Sequence, residues 1–131
     1  MQFNGPANLN EMSNKTDESP QERFCALGYR PQGWSGGSLQ ADSIILFVLE
    51  DGVGSLRFLV HPELHTVVRD NDLSYLESLF KDFLERTKLN PAALFTQLSS
   101  LGVGPLVTHE AGSNISDHPH ILKLCSRFVK L

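Results

Sequence analysis

The sequence predicts an α+β domain in which helices pack on a small, mostly antiparallel sheet. Two apolar runs separated by a glycine-containing turn, at residues 43–62, predict a β-hairpin. Apolar residues at helical spacing over 71–88 predict an amphipathic helix soon afterwards. The predicted strands come first and most of the helices follow, which favours the α+β class over alternating strand–helix units.

Composition limits the class of protein. The chain has 131 residues, 40% of them hydrophobic and 20% charged, which is typical of one soluble globular domain. Its net charge of −4 argues against a nucleic-acid partner. No run approaches the roughly 20 apolar residues of a membrane span, so no membrane partner is expected. Two cysteines far apart, and an amino terminus unlike a signal peptide, predict a cytoplasmic location.

The first residues differ in composition from the rest. Residues 1–20 are polar and almost free of large apolar side chains, which predicts a flexible tail before a single domain at 21–131. The alternative is an arm that orders on a partner. The apolar patch at 24–29 then predicts a strand or one helical turn. A glycine-rich loop at 30–38 follows, around the only tryptophan, Trp34.

The two runs of the hairpin differ in pattern. Residues 44–49 are continuously apolar, which is typical of a strand covered on both faces. The second run alternates, with Leu56, Phe58 and Val60 on one face and Arg57 on the other. The turn between the two runs contains Asp51, Gly52 and Gly54, and its Asp-Gly pair tolerates the positive φ angles that tight hairpin turns require. Residues 66–69, rich in β-branched side chains, predict a third short strand.

Helix signals follow the hairpin. The helix at 71–88 can begin at Asn71, Asp72 or Ser74, each of which is a good cap. A second helix is predicted from Asn90 as its cap to Gly102 as its left-handed end.

Two further elements complete the predicted order. Residues 104–110 predict another strand. The carboxyl-terminal segment predicts a helix, because Ile121, Leu124, Cys125 and Phe128 recur at helical spacing.

Histidines and carboxylates cluster at residues 109–120. The candidate metal ligands are His109, Glu110, His118 and His120, because imidazole and carboxylate are usual ligands of a hydrolytic zinc. The spacing does not match the helical HExxH pattern. The alternative is a polar connection with solvated or capping histidines. His61 and His65 would join such a site only if the fold brought them near His109.

Other residues are candidates for contact with a protein partner. Trp34 is either an interface anchor or a plug of the core. The terminal helix is amphipathic and basic, so it either docks on an acidic surface or shows its charges to water. The candidate partner-binding residues are Trp34, Tyr29, Arg30, Lys123, Arg127 and Lys130.

Catalytic motifs are weak. Cys25 and Cys125 lie among apolar residues, which favours packing over a reactive thiolate. None of the glycine clusters has the pattern of a phosphate-binding loop. The sequence therefore predicts a non-enzymatic module that binds a protein and regulates or assembles something, without a cofactor. The alternative is a small metal-dependent hydrolytic enzyme that uses the histidine cluster, and binding of a small ligand is a third hypothesis. Generous apolar faces add the hypothesis of a homodimer.

Overall fold

The structure is a computed structural model that describes residues 22–31 and 39–131. The predicted tail at 1–20 and Trp34 lie outside the described residues. In chain order the elements are β1 (Glu22–Tyr29), β2 (Ala41–Glu50), β3 (Ser55–Val60), α1 (Leu64–Val67), α2 (Asp70–Leu89), α3 (Pro91–Leu98), β4 (Gly102–Val103), β5 (Leu106–Ser113), a 3-10 turn (Ile115–Asp117), α4 (Pro119–Arg127) and β6 (Val129–Lys130).

The strands form one antiparallel sheet in the order β4-β5-β1-β2-β3-β6. The patch at 24–29 is therefore a strand, and it lies in the middle of the sheet between β2 and β5. The α+β class is confirmed, with helices packed on an antiparallel sheet.

Both faces of the sheet are covered, because successive side chains of a strand point to opposite faces. On one face, Leu27 of β1 and Phe47 of β2 pack with α2 and α3. On the other face, Phe24 and Leu46 pack with α4. The prediction that 44–49 is covered on both faces is confirmed, since all six residues are buried. The helices of the first face meet the sheet through Leu76, Phe80, Phe83, Leu94, Phe95 and Leu98.

The third strand predicted at 66–69 is wrong. The backbone N–H of Thr66 and its hydroxyl both bond to the carbonyl of Glu63, which begins the short helix α1. Leu64 is buried in the core from this helix. Local hydrogen bonding and burial thus outweigh the β preference of the Thr-Val-Val run.

Several predicted helix boundaries also differ. The N-cap of α2 is Arg69 rather than Asn71, Asp72 or Ser74, and no side chain caps the helix. Asn90 does cap α3, accepting a bond from the N–H of Ala93 at 3.3 Å. That helix ends at Leu98, and Gly102 belongs to β4.

The hairpin turn and the last elements of the chain also differ from the prediction. In the hairpin turn the positive φ is at Gly54, at 77°, and not at Gly52. The strand predicted at 104–110 is β5 and continues to Ser113, while the terminal helix gives way to β6.

Asp72 does not cap α2; it is a buried hydrogen-bond acceptor. This side chain is 1% exposed, and its Oδ2 accepts a 2.5 Å bond from the hydroxyl of Tyr29. The same hydroxyl accepts a bond from the backbone N–H of Arg69 at 3.1 Å. The other oxygen of Asp72, Oδ1, has no hydrogen-bond partner. Tyr29 therefore connects the central strand β1 to the start of α2 and satisfies a buried carboxyl group.

We predict that Tyr29→Phe lowers the free energy of unfolding by about 1–3 kcal/mol, because it leaves Oδ2 of buried Asp72 without its donor. Urea unfolding checks this value. Tyr75→Phe is the matched control, since the Tyr75 side chain is exposed and its expected change is below about 0.5 kcal/mol. Equal stability of the two variants would contradict the role of the Tyr29 bond.

Candidate functional site

A polar cavity of about 290 Å³ lies where β2 begins and β3 ends, beneath α4. Its lining combines charged and hydroxyl groups with an apolar wall. The lining residues are Asp42, Ser43, His61, His109, Glu110, His120, Leu124, Arg127 and Phe128. We call this the polar cavity.

A β-bulge in β5 supplies two of these residues. Ala26 of β1 pairs with Glu110, but the next residue, Leu27, pairs with Thr108, so His109 is an extra residue in β5. Without a bulge, His109 and Glu110 would point to opposite faces. With it, both line the polar cavity on the α4 side.

A second, wider bulge in β2 supplies Asp42 and Ser43. Leu27 pairs with Ile45 and Tyr29 pairs with Ala41, so Gly28 alone faces three residues of β2. The backbone of β2 comes very close at this point. A Cβ on Gly28 would lie 2.8 Å from the carbonyl oxygen of Asp42 and 2.9 Å from that of Ala41. The absence of a side chain at Gly28 is thus what permits this bulge.

The polar groups of the cavity are partly paired. Nε2 of His120 lies 2.8 Å from Oε1 of Glu110. His61 is held by its backbone N–H, which donates to the carbonyl of Ile44 at 2.9 Å. Its Nδ1 accepts from the N–H of Glu63 at 2.9 Å, so the neutral ring carries its proton on Nε2 and is a donor there.

The predicted metal ligands are only partly brought together. His109, Glu110 and His120 line the polar cavity, but His118 does not, because its ring packs edge-on against Phe24 at 4.8 Å. In the described ranges, no group of three or more His, Cys, Asp or Glu side chains is arranged to hold a metal ion. His61 is also a poor fourth ligand, since a ring bound to metal through Nε2 would need its proton on Nδ1.

An apolar groove of about 360 Å³ lies on the other side of His61, between α2 and the β3–β6 edge of the sheet. Most of its lining is apolar, and apart from His61 the polar side chains belong to α1 and α2. The lining residues are Val60, His61, Pro62, Leu64, His65, Glu77, Phe80, Lys81, Leu84, Val129 and Leu131. We call this the edge groove.

The predicted partner-binding residues have different surroundings. Tyr29 is fully buried and its hydroxyl bonds to Asp72, so the prediction that Tyr29 contacts a protein partner is wrong. Arg30 is exposed, and its backbone N–H donates to the carbonyl of Pro105 at 2.8 Å. Lys123 and Arg127 are exposed on α4, one turn apart. Lys130 is exposed too, but on β6 rather than on the helix.

Sequence reasoning missed several of the residues that line the two cavities. Asp42 and Ser43 precede an apolar run and carry no motif, and their place depends on pairing with β1. The edge groove depends on the short strand β6, which folds back on β3. The Gly28 position is the one local signal, because a glycine inside a strand often marks a bulge or a close backbone approach.

The cysteines are packing residues, as predicted from their neighbours. Cys25 is fully buried, and its thiol donates to the carbonyl of Leu98 at 3.0 Å. Burial raises the pKa of Cys25 to about 12, although a hydrogen bond with Thr108 lowers it in part. Partial burial also raises the pKa of Cys125. Neither site therefore favours a nucleophilic thiolate.

Within the described part of the chain, no helix has the length and apolar character needed to cross a membrane. Comparisons of the chain with protein-family models, with curated proteins and with solved structures give no match.

We predict that a thiol reagent at pH 8 modifies Cys125 in the folded protein and leaves Cys25 unmodified. With a pKa near 12, only about one Cys25 thiol in ten thousand is ionised at pH 8, and the side chain is buried. Mass spectrometry of the labelled protein checks the site. Cys125→Ser is the control and should react only after unfolding; rapid labelling of Cys25 in that folded variant would contradict its burial.

Proposed function

We propose that this chain is a non-enzymatic module that binds a protein partner through an extended apolar segment. The segment adds to the sheet at β6 and places side chains in the edge groove. The observation that carries this proposal is the apolar groove of about 360 Å³ beside an edge strand. Addition of a strand to an open sheet edge is a common mode of peptide recognition.

The register at β6 supplies the backbone groups. Val129 pairs with Val60 and Lys130 with Leu59, and the N–H of Leu131 donates to the carbonyl of Phe58 at 3.0 Å. In an antiparallel pair the hydrogen-bonding residues alternate along the strand. Because Val129 and Leu131 direct their backbone groups toward β3, the N–H and C=O of Lys130 point away from the sheet and can bind a partner strand.

The side chains beside this edge supply apolar surface. Val129 is 49% exposed and Leu131 is 44% exposed, and both line the edge groove. Every second side chain of an added strand falls on this same side and can pack there. Deeper in the groove, Phe80 and Leu64 are buried and form its apolar base.

The charges in the lining limit the composition of the partner. Glu77 and Lys81 are of opposite sign and lie one turn apart on α2. A segment of strong net charge would meet a like charge in the groove, so the groove fits an apolar segment of low net charge. The hydrolase alternative lacks a comparable observation, since the described residues contain no assembled set of metal ligands.

We predict that random peptides displayed on phage and selected against this protein share apolar residues at alternate positions. The best of them, made as a free peptide, should bind Lys130→Pro at least tenfold more weakly, because proline removes the outward N–H that the partner strand needs. Val129→Glu should weaken binding similarly. Fluorescence anisotropy measures each dissociation constant, and NMR spectra establish that the variants are folded.

Two matched controls accompany these variants. Lys130→Ala keeps the N–H, and Leu122→Glu changes a leucine of 43% exposure outside the edge groove; both should bind the peptide as the unchanged protein does. Peptides that bind Lys130→Pro and Val129→Glu without loss would contradict the proposal. Failure to select any peptide would contradict it as well.

A further inference from the structure

We infer that the polar cavity binds a free α-amino acid with an apolar side chain, through its charged ammonium and carboxylate groups. This inference concerns the cavity beneath α4 and does not depend on the edge groove. It rests on three features of the lining: two opposite charges that form no ion pair within the described residues, neutral polar groups beside them, and an apolar wall.

The two opposite charges are those of Arg127 and Asp42, whose side chains are both exposed. Both line the polar cavity, yet they form no ion pair with each other or with another residue in the described part of the chain. They belong to separate elements, the last turn of α4 and the bulge of β2. A ligand that carries both charges satisfies both residues at once, whereas an anion or a cation alone satisfies one and meets a like charge at the other.

The other polar groups fit the two ends of such a ligand. Glu110 bonds to His120 through Oε1 alone, whereas Asp42 forms no side-chain bond in the described part of the chain, so Asp42 is the carboxylate assigned to the ammonium group. The hydroxyl of Ser43, the next residue, is a second acceptor. For the carboxylate end, Arg127 offers its paired N–H groups and His61 offers Nε2–H, since its Nδ1 is already an acceptor. His109, on the β5 bulge, also lines the cavity but is assigned to neither end of the ligand.

The apolar wall of the polar cavity favours a ligand with an apolar side chain. Leu124 and Phe128 of the α4 segment are the apolar members of the lining, and Phe128 is buried. A volume of about 290 Å³ is at the small end of ligand pockets and admits an amino acid such as valine or leucine rather than a peptide or nucleotide. The ring of Phe128 lies 5.5 Å from that of His61, so the apolar and polar walls adjoin.

The test uses isothermal titration calorimetry with proteinogenic amino acids, followed by two analogues of leucine. The analogue 4-methylpentanoate lacks the ammonium group, and 3-methylbutylamine lacks the carboxylate. We expect at least one apolar amino acid to bind saturably, and each analogue of leucine to bind at least tenfold more weakly than leucine. Absence of saturable binding by any amino acid at about 10 mM would overturn the inference. Equal binding of an analogue with one charge would overturn it too.

Variants locate the site. Asp42→Asn and Arg127→Gln should each weaken binding of the amino acid at least tenfold, because each removes one of the two charges. Lys123→Gln and Asp117→Asn change exposed charges outside the cavity lining and should leave affinity unchanged. Binding that is insensitive to Asp42→Asn and Arg127→Gln would place the ligand elsewhere and overturn the assignment. The groove variant Lys130→Pro should bind the amino acid normally, which separates this test from that of the partner segment.

Discussion

The close approach of β2 to Gly28, at the centre of the sheet, is the constraint on which the polar cavity depends. The carbonyl oxygens of Ala41 and Asp42 occupy the space that a side chain would fill. That approach lets three residues of β2 lie opposite one residue of β1. A bulge re-aims side chains without ending the strand, and here it turns Asp42 and Ser43 toward the space beneath α4. The bulge of β5 lies on the other side of β1 at nearly the same level and adds His109 and Glu110.

The two cavities meet at His61, which lines both. Two hydrogen bonds fix its position. Its backbone N–H donates to the carbonyl of Ile44, and the N–H of Glu63 donates to Nδ1 of its ring. On one side of it the sheet edge presents an apolar groove, and on the other the bulges present charges. The proposed partner segment and the proposed amino acid would therefore bind as neighbours, on the two sides of His61.

Long apolar patterns were sufficient to predict the main elements. The continuous apolar run at 44–49 and the helical spacing of apolar residues over 71–88 both result from burial against the core. Such patterns can be recognised in the sequence without knowledge of the fold. Shorter signals were less reliable. Thr66 belongs to a helix despite its β-branched neighbours, because the carbonyl of Glu63 accepts its bonds.

The site was harder to predict because it depends on pairing between distant strands. Asp42 carries no local pattern that distinguishes it from any polar residue before a strand. The histidine cluster was a partial guide, since His109 and His120 do share a cavity, but His118 turns to Phe24 instead. Tyr29 resembled a surface anchor in sequence and is a core residue in the fold, because buried Asp72 is its partner.

The most direct test of this account is a comparison of Gly28→Ala with Gly102→Ala by urea unfolding and amide NMR spectra. A Cβ at Gly28 meets backbone atoms, whereas one at Gly102 has nothing within 4 Å. We predict that Gly28→Ala loses about 1–3 kcal/mol of stability and shifts the amide signals of residues 41–44, 109 and 110. Gly102→Ala should change stability by less than about 1 kcal/mol and leave those signals in place. A Gly28→Ala protein with unchanged stability and unchanged signals would show that the bulges, and the cavity they form, do not depend on this glycine.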